Sequence, residues 1–159
     1  MYRSFTSNLK KPNILKHILL TGLLAGTLDV ATAMIVYNSN PNNMFRYIAS
    51  GAFGSETAFT GGSEMVICGI ILHYFIALWW TTLYFLVYPL IQRVASHKYI
   101  AGVLYGIFVW VMMNMVVIPF TEIAQGDFYW DRAIVGATIL VFMIGIPVSF
   151  FAHRFYSRH

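Results

Sequence analysis

The sequence predicts an all-α bundle of four transmembrane helices. Three observations carry that expectation: only 10% of the residues are charged, 58% are hydrophobic, and the apolar residues fall into four long runs separated by polar segments. Soluble domains carry about 25% charged residues, so a chain this poor in charge has a surface that mostly avoids water. At ~20 residues per crossing, four spans and their loops fit one compact domain covering residues 1–159.

The spans fall at about 15–37, 65–91, 99–119 and 133–156. Each is long enough to cross a ~30 Å hydrocarbon core as a helix. Helix is required, because lipid offers the backbone no hydrogen-bond partners. Pro119 is expected to close the third span and Pro147 to kink the fourth. Basic residues set the orientation. Arg3, Lys10, Lys11 and Lys16 precede the first span, Arg93 and Lys98 lie between the second and third, and Arg154 and Arg158 follow the fourth. Only Arg46 and Arg132 fall on the other side, so both termini are expected in the cytoplasm of a cell whose inner membrane holds the chain. Glu56, Glu64, Glu122, Asp127 and Asp131 all fall in the opposite, outer loops. The basic start and Ala31-Thr32-Ala33 resemble a cleaved signal peptide. The apolar run continues through Met34-Ile35-Val36, however, and Asp29 is awkward before a cleavage site, so a retained first span is expected.

An internal repeat is also legible. Gly22-Leu23-Leu24-Ala25-Gly26 in the first span parallels Gly102-Val103-Leu104-Tyr105-Gly106 in the third, and Ile71–Ala77 parallels Ile139–Gly145. The chain reads as two tandem helical hairpins related by a pseudo-twofold axis along the membrane normal. Gly22, Gly26, Gly102 and Gly106 are then helix-packing residues, since close backbone approach replaces the hydrophobic drive that lipid removes. Spans one and three are expected to face each other across those glycines.

The first hairpin carries an insertion. It opens with the turn-like Asn38-Ser39-Asn40-Pro41-Asn42-Asn43. Met44, Phe45, Ile48 and Ala52 then recur at helical spacing, predicting a short interfacial helix over about 43–54. A lid over an outward-facing cavity is its functional reading.

One polar layer stands out. Asp29 is the only acid inside a span, about eight residues or ~12 Å from its outer end. His73 lies at matching depth in the second span, with Asn114, Thr138 and Thr32 near that level. An ionised carboxylate there costs about 2.5–3.5 kcal/mol on insertion scales and needs a partner or a proton. The layer reads either as a proton or ion site on a transport path or as an interhelical hydrogen-bond network. Glu56 and Glu64 form an outer acidic rim that attracts cations or is simply solvated. Trp79, Trp80 and Trp110 are expected in the core, and Trp130, Tyr129, Tyr88 and Tyr99 in interfacial belts. His17, His97, His153 and His159 are expected as cytoplasmic-side anchors.

The single cysteine, Cys68, rules out an intramolecular disulfide and a multi-cysteine metal site. No zinc-protease, serine-hydrolase, redox-dithiol or nucleotide-binding motif is present, and no metal or cofactor is implied. An enzyme is therefore the least supported class. The lipid bilayer is the expected partner, nucleic acid is not, and a transport path through so small a bundle calls for a homo-oligomer.

Four segments carry a resemblance: Gly26-Thr27-Leu28-Asp29, Arg46-Tyr47-Ile48-Ala49-Ser50-Gly51, Leu72-His73-Tyr74, and Tyr105-Gly106 through Met113-Asn114 to Pro119. Together they resemble an uncharacterised family of small bacterial four-span inner-membrane proteins. The resemblance implies the architecture and a cytoplasmic-membrane location, and does not choose between a transporter or channel subunit and a non-catalytic scaffold.

Overall fold

The computed structural model describes residues 13–94, 97–123 and 129–157. The expectations placed on Arg3, Lys10, Lys11, Asp127, Arg158 and His159 lie outside them. Among the described residues the chain is helical, with no strand. The first helix, α1, is Ile14–Val36; α2 is Pro41–Phe53; α3 is Ser55–Thr60; α4 is Ser63–Val94. Two further long helices, α5 (Lys98–Phe120) and α6 (Trp130–Tyr156), complete the bundle. With α1 and α4 they make four helices long and apolar enough to cross a bilayer, as a multi-pass membrane protein requires.

Local chemistry explains the boundaries. Asn13 caps α1, its side chain accepting from the Lys16 N–H. Asn38 takes φ 47°, a conformation asparagine tolerates better than most residues, and turns the chain. Asn40 then caps α2, accepting from the Asn43 N–H at 2.8 Å, and Pro41 occupies the first turn, where its missing N–H is harmless. The helix thus starts within the segment read from sequence as a turn. Gly54, at φ 76°, separates α2 from α3, a helix the sequence reading did not separate.

Both α5 and α6 change pitch before a proline. Met113–Val117 forms a π-helical stretch ahead of Pro119, and Val141–Gly145 forms one ahead of Pro147. The offset is the same in each helix. Proline donates no hydrogen bond and crowds the preceding turn, and a widened turn accommodates both effects. By contrast, α4 runs unbroken through Pro89.

The packing corrects one expectation. Gly22 and Gly26 do not face span three; they lie against α4. A Cβ on Gly22 would meet Leu78 Cδ2 at 2.7 Å, and one on Gly26 would meet Ala77 Cβ at 2.9 Å. Gly102 and Gly106 lie against α6, where Gly145 has no room for a side chain because the Gly102 carbonyl and the Gly106 backbone occupy that space. Each glycine pair serves its neighbour within its own hairpin. Thus α1 packs on α4 and α6, α5 packs along α6, and α1 and α5 sit diagonally.

The half of the bundle nearer the termini is tightly filled. Tyr84 and Phe85 are fully buried, with Tyr105, Tyr88 and Val148 around them. Their hydroxyls are satisfied: Tyr84 donates to Ser149 Oγ at 2.6 Å, Ser149 donates to the Lys98 carbonyl at 2.6 Å, and Tyr105 donates to the Trp80 carbonyl at 2.5 Å. Tyr88 is therefore not a belt residue. It is buried, stacked on Tyr156 and bonded to His153 Nδ1 at 2.7 Å. Trp80 is buried as expected, whereas Trp79 is 61% exposed.

Two substitutions test this packing. Gly145→Val forces a side chain into the backbone contact with α5, and overpacking of this kind costs roughly 1–3 kcal/mol. A thermal melt of the purified protein in detergent should show a clear loss, larger than that of Gly136→Ala, whose added methyl meets the Trp110 indole Nε1 at 3.2 Å and otherwise makes ordinary contacts at 3.7 Å with Trp110 and the Tyr37 hydroxyl. Equal melts for the two variants would contradict the contact.

Candidate functional site

The other half of the bundle holds a cavity of about 370 Å³. Its wall is overwhelmingly apolar and draws on all four long helices, on α2 and on the segment 121–123. Asp29 of α1 and His73 of α4 both line it, within electrostatic range of each other. The His73 Nε2–H donates to the Gly26 carbonyl at 2.8 Å, one turn before Asp29 on the same helix. A carbonyl only accepts, so this bond places a proton on Nε2. The imidazole is buried, with Phe45 of α2 and Tyr74 edge-on to it at 6.4 and 5.4 Å. Tyr74 also reaches α1: Thr27 Oγ1 donates to the Leu23 carbonyl at 2.8 Å and lies 2.9 Å from the Tyr74 hydroxyl, which then is the donor. Among the described residues, no side chain or backbone group hydrogen-bonds the Asp29 carboxyl.

Other members of the polar layer do not join the site. Asn114 is exposed, its amide donating back to the Trp110 carbonyl at 2.9 Å. Thr138 is exposed and donates to the Ile134 carbonyl at 2.7 Å. Thr32 does not line the cavity. For Asn114 the reason is rotational: it lies about 100° from the Gly102–Gly106 face that turns toward α6, so it faces out and satisfies itself on its own backbone. Glu56 and Glu64 are also exposed and away from the cavity. Glu64 accepts from the Gly62 N–H at 2.8 Å, a local cap.

The reading from sequence missed three residues that build the site. Gly69 is the first. The Phe45 carbonyl of α2 stands where a Gly69 Cβ would be, which draws α2 onto α4 and brings Phe45 over His73. Arg46 is the second. Its guanidinium donates to the Ala58, Gly61 and Gly62 carbonyls at 2.7, 2.7 and 3.0 Å, gathering the end of α3 and the entry to α4. The planar fork of arginine suits several carbonyls at once, and these groups also lie at a helix C-terminus. Gly51 is the third: its carbonyl accepts from the Glu122 N–H at 3.0 Å, tying the end of α5 to α2. Arginine and isolated glycines in a loop-like segment were the available signal, and they do not announce their partners.

Arg46→Lys keeps the charge but loses the fork. Hydrogen bonds to a charged group are worth about 1.5–3 kcal/mol each in net terms, and lysine reaches fewer acceptors. Limited proteolysis should cut this variant between α3 and α4 several-fold faster than wild type, with Arg46→Met faster still. Unchanged cleavage in both would remove the clasp.

No model of a known protein family, no curated protein and no solved structure matches this chain.

Proposed function

We propose that the chain is a small multi-pass transport protein or channel subunit whose Asp29–His73 pair is a protonatable site in the outer half of the bilayer. The observation that supports it best is the Asp29 carboxyl itself, which lines an apolar cavity without a hydrogen-bond partner among the described residues. A structural carboxyl in such surroundings is expected to be satisfied by neighbours; one left open is available to a proton or a cation. His73 supplies an imidazole beside it, held through Nε2 by the Gly26 carbonyl. In this reading the basic residues near the termini lie in the cytoplasm, the lipid bilayer is the immediate partner, and α2 is an outer element over the cavity. The use of Gly22 and Gly26 against α4, and of Gly102 and Gly106 against α6, supports two tandem hairpins. The site is not duplicated: the position corresponding to Asp29 is Val109, which lines the same cavity as an apolar residue. A complete path through the membrane calls for more helices than one bundle supplies, so a homo-oligomer is the working unit. No bound metal or cofactor is required.

A second reading, a membrane scaffold, draws on the bond between His73 and Gly26, which joins α1 to α4 as a structural clasp would. Interhelical contacts of that kind are worth ~0.6 kcal/mol on average. The two readings separate in proteoliposomes. If the pair transports, Asp29→Asn abolishes proton-coupled or cation flux by at least tenfold while the melting temperature barely changes. Equal, measurable flux in wild type and Asp29→Asn would remove the proposed role of Asp29; if neither conducts and the variant melts lower, the scaffold stands.

A further inference from the structure

We propose that the Asp29–His73 cavity is loaded sideways from the bilayer, between α4 and α5, by a lipophilic amine. Its ammonium group pairs with Asp29, and its alkyl chain lies against Trp80 and Met113. The inference rests on the reading of Asp29 as an open site and adds to it a class of ligand and a route.

The route follows from two adjoining spaces. Beside the Asp29 cavity lies a groove of about 440 Å³ between α4 and α5, lined only by apolar and aromatic residues. Cavity and groove share Ile76, Trp80, Met113 and Val117 as a common wall. The far side of the groove carries Phe75 and Trp79, 64% and 61% exposed in the middle of a long apolar helix, and in a bilayer those side chains meet acyl chains. The wall itself is soft. Its side-chain tie is the Trp80 indole N–H donating to Met113 Sδ at 3.4 Å, a weak bond to an adaptable side chain, while the Tyr105 hydroxyl holds the Trp80 carbonyl below it. Met113 also begins the π-helical stretch of α5, where the backbone has already left its regular ladder.

The side of the cavity formed by α2 is held more firmly. The Phe45 carbonyl packs directly on Gly69, Gly51 accepts from the Glu122 N–H, and Ile123 fits against Gly51 with 3.5 Å available to an added Cβ. Backbone meets backbone on that side, whereas every tie across the other is made through a side chain. A ligand dissolved in lipid therefore meets the weaker barrier.

The ligand class follows from charge and lining. The cavity offers one acid, one imidazole whose Nε2–H is already committed, and a wall that is apolar apart from Tyr47 and Thr121. A cation with an apolar tail suits the acid and the wall: the tail covers the apolar lining and the ammonium neutralises the carboxylate in a low-dielectric site. A neutral alcohol of equal length gains the tail contribution without the ion pair, and a fatty-acid anion is repelled.

The test uses the intact protein in vesicles of phosphatidylcholine, with 12-bromododecylamine as probe, since a bromine on the tail quenches tryptophan on contact. Wild type should quench saturably, at a half-saturating concentration at least tenfold below that of 12-bromododecanol. Asp29→Asn should erase the difference, and Asp29→Glu should restore part of it. Butylamine, which does not accumulate in lipid, should fail to compete at equal aqueous concentration. Far-UV circular dichroism melts verify that each variant is folded. Competition by butylamine would overturn entry from the bilayer and leave the Asp29 site standing. Amine preference that survives in folded Asp29→Asn would overturn the ligand assignment and the open-site reading together, and equal quenching by amine and alcohol in wild type would overturn the ligand assignment alone.

Discussion

Backbone meeting backbone at glycine is the contact on which this structure depends. In lipid, apolar side chains gain nothing by leaving their surroundings, so helices associate through close van der Waals contact and hydrogen bonds. Gly145 stands against the Gly102 carbonyl and the Gly106 backbone, and this joins α5 to α6. Gly22 and Gly26 do the same for α1 and α4, with Leu78 and Ala77 fitted into the space. Gly69 accepts the backbone of α2. Each approach sets the rotation of a helix about its own axis. That rotation decides which polar side chains point inward.

The bundle divides into two halves of different character. Near the termini, tyrosines fill the interior and each hydroxyl finds an acceptor on a neighbouring helix: Tyr84 on Ser149, Tyr105 on Trp80, Tyr156 on Phe85. Large side chains with a satisfied polar tip leave little free volume and hold three helices at once. Toward α2 the interior residues are smaller or more flexible. Ala77, Gly51, Ala52, Met113 and Val117 line the cavity there, and α5 widens into its π-helical stretch at the same level. A rigid base thus carries a looser chamber, and the chamber contains Asp29, which lies away from the helix ends where Glu64 and Asp131 sit. Stability and openness are assigned to different ends of the same helices.

Within the chamber, His73 and Asp29 do unlike jobs. His73 is committed through Nε2 to the Gly26 carbonyl and through its ring to Phe45 and Tyr74. It links α1, α2 and α4 and fixes its own tautomer. Asp29 has only an electrostatic neighbour in that imidazole. A positioned, hydrogen-bonded histidine beside an uncommitted carboxyl is an arrangement in which a proton or a cation changes the state of one group without dismantling the other.

Four apolar runs, their helical state and the positions of their ends were legible in the residues, because a bilayer admits only helices of a certain length and because Asn40, Pro41, Gly54 and Pro119 mark boundaries by their own backbone chemistry. A helical segment between the first two spans was legible from the spacing of Met44, Phe45, Ile48 and Ala52, which the structure forms as α2. Rotation was not. Whether Asn114 and Thr138 join Asp29 or turn outward depends on which helix takes up the glycine face, and that is a property of pairs of helices. The partners of Arg46, the seat of Phe45 on Gly69 and the shared wall of the two cavities likewise exist only once distant segments meet. Composition and spacing determined the long helical elements, since bilayer thickness and backbone satisfaction act on each segment alone. Tertiary structure decided which polar groups face inward, since that follows from close contact between segments far apart in the chain.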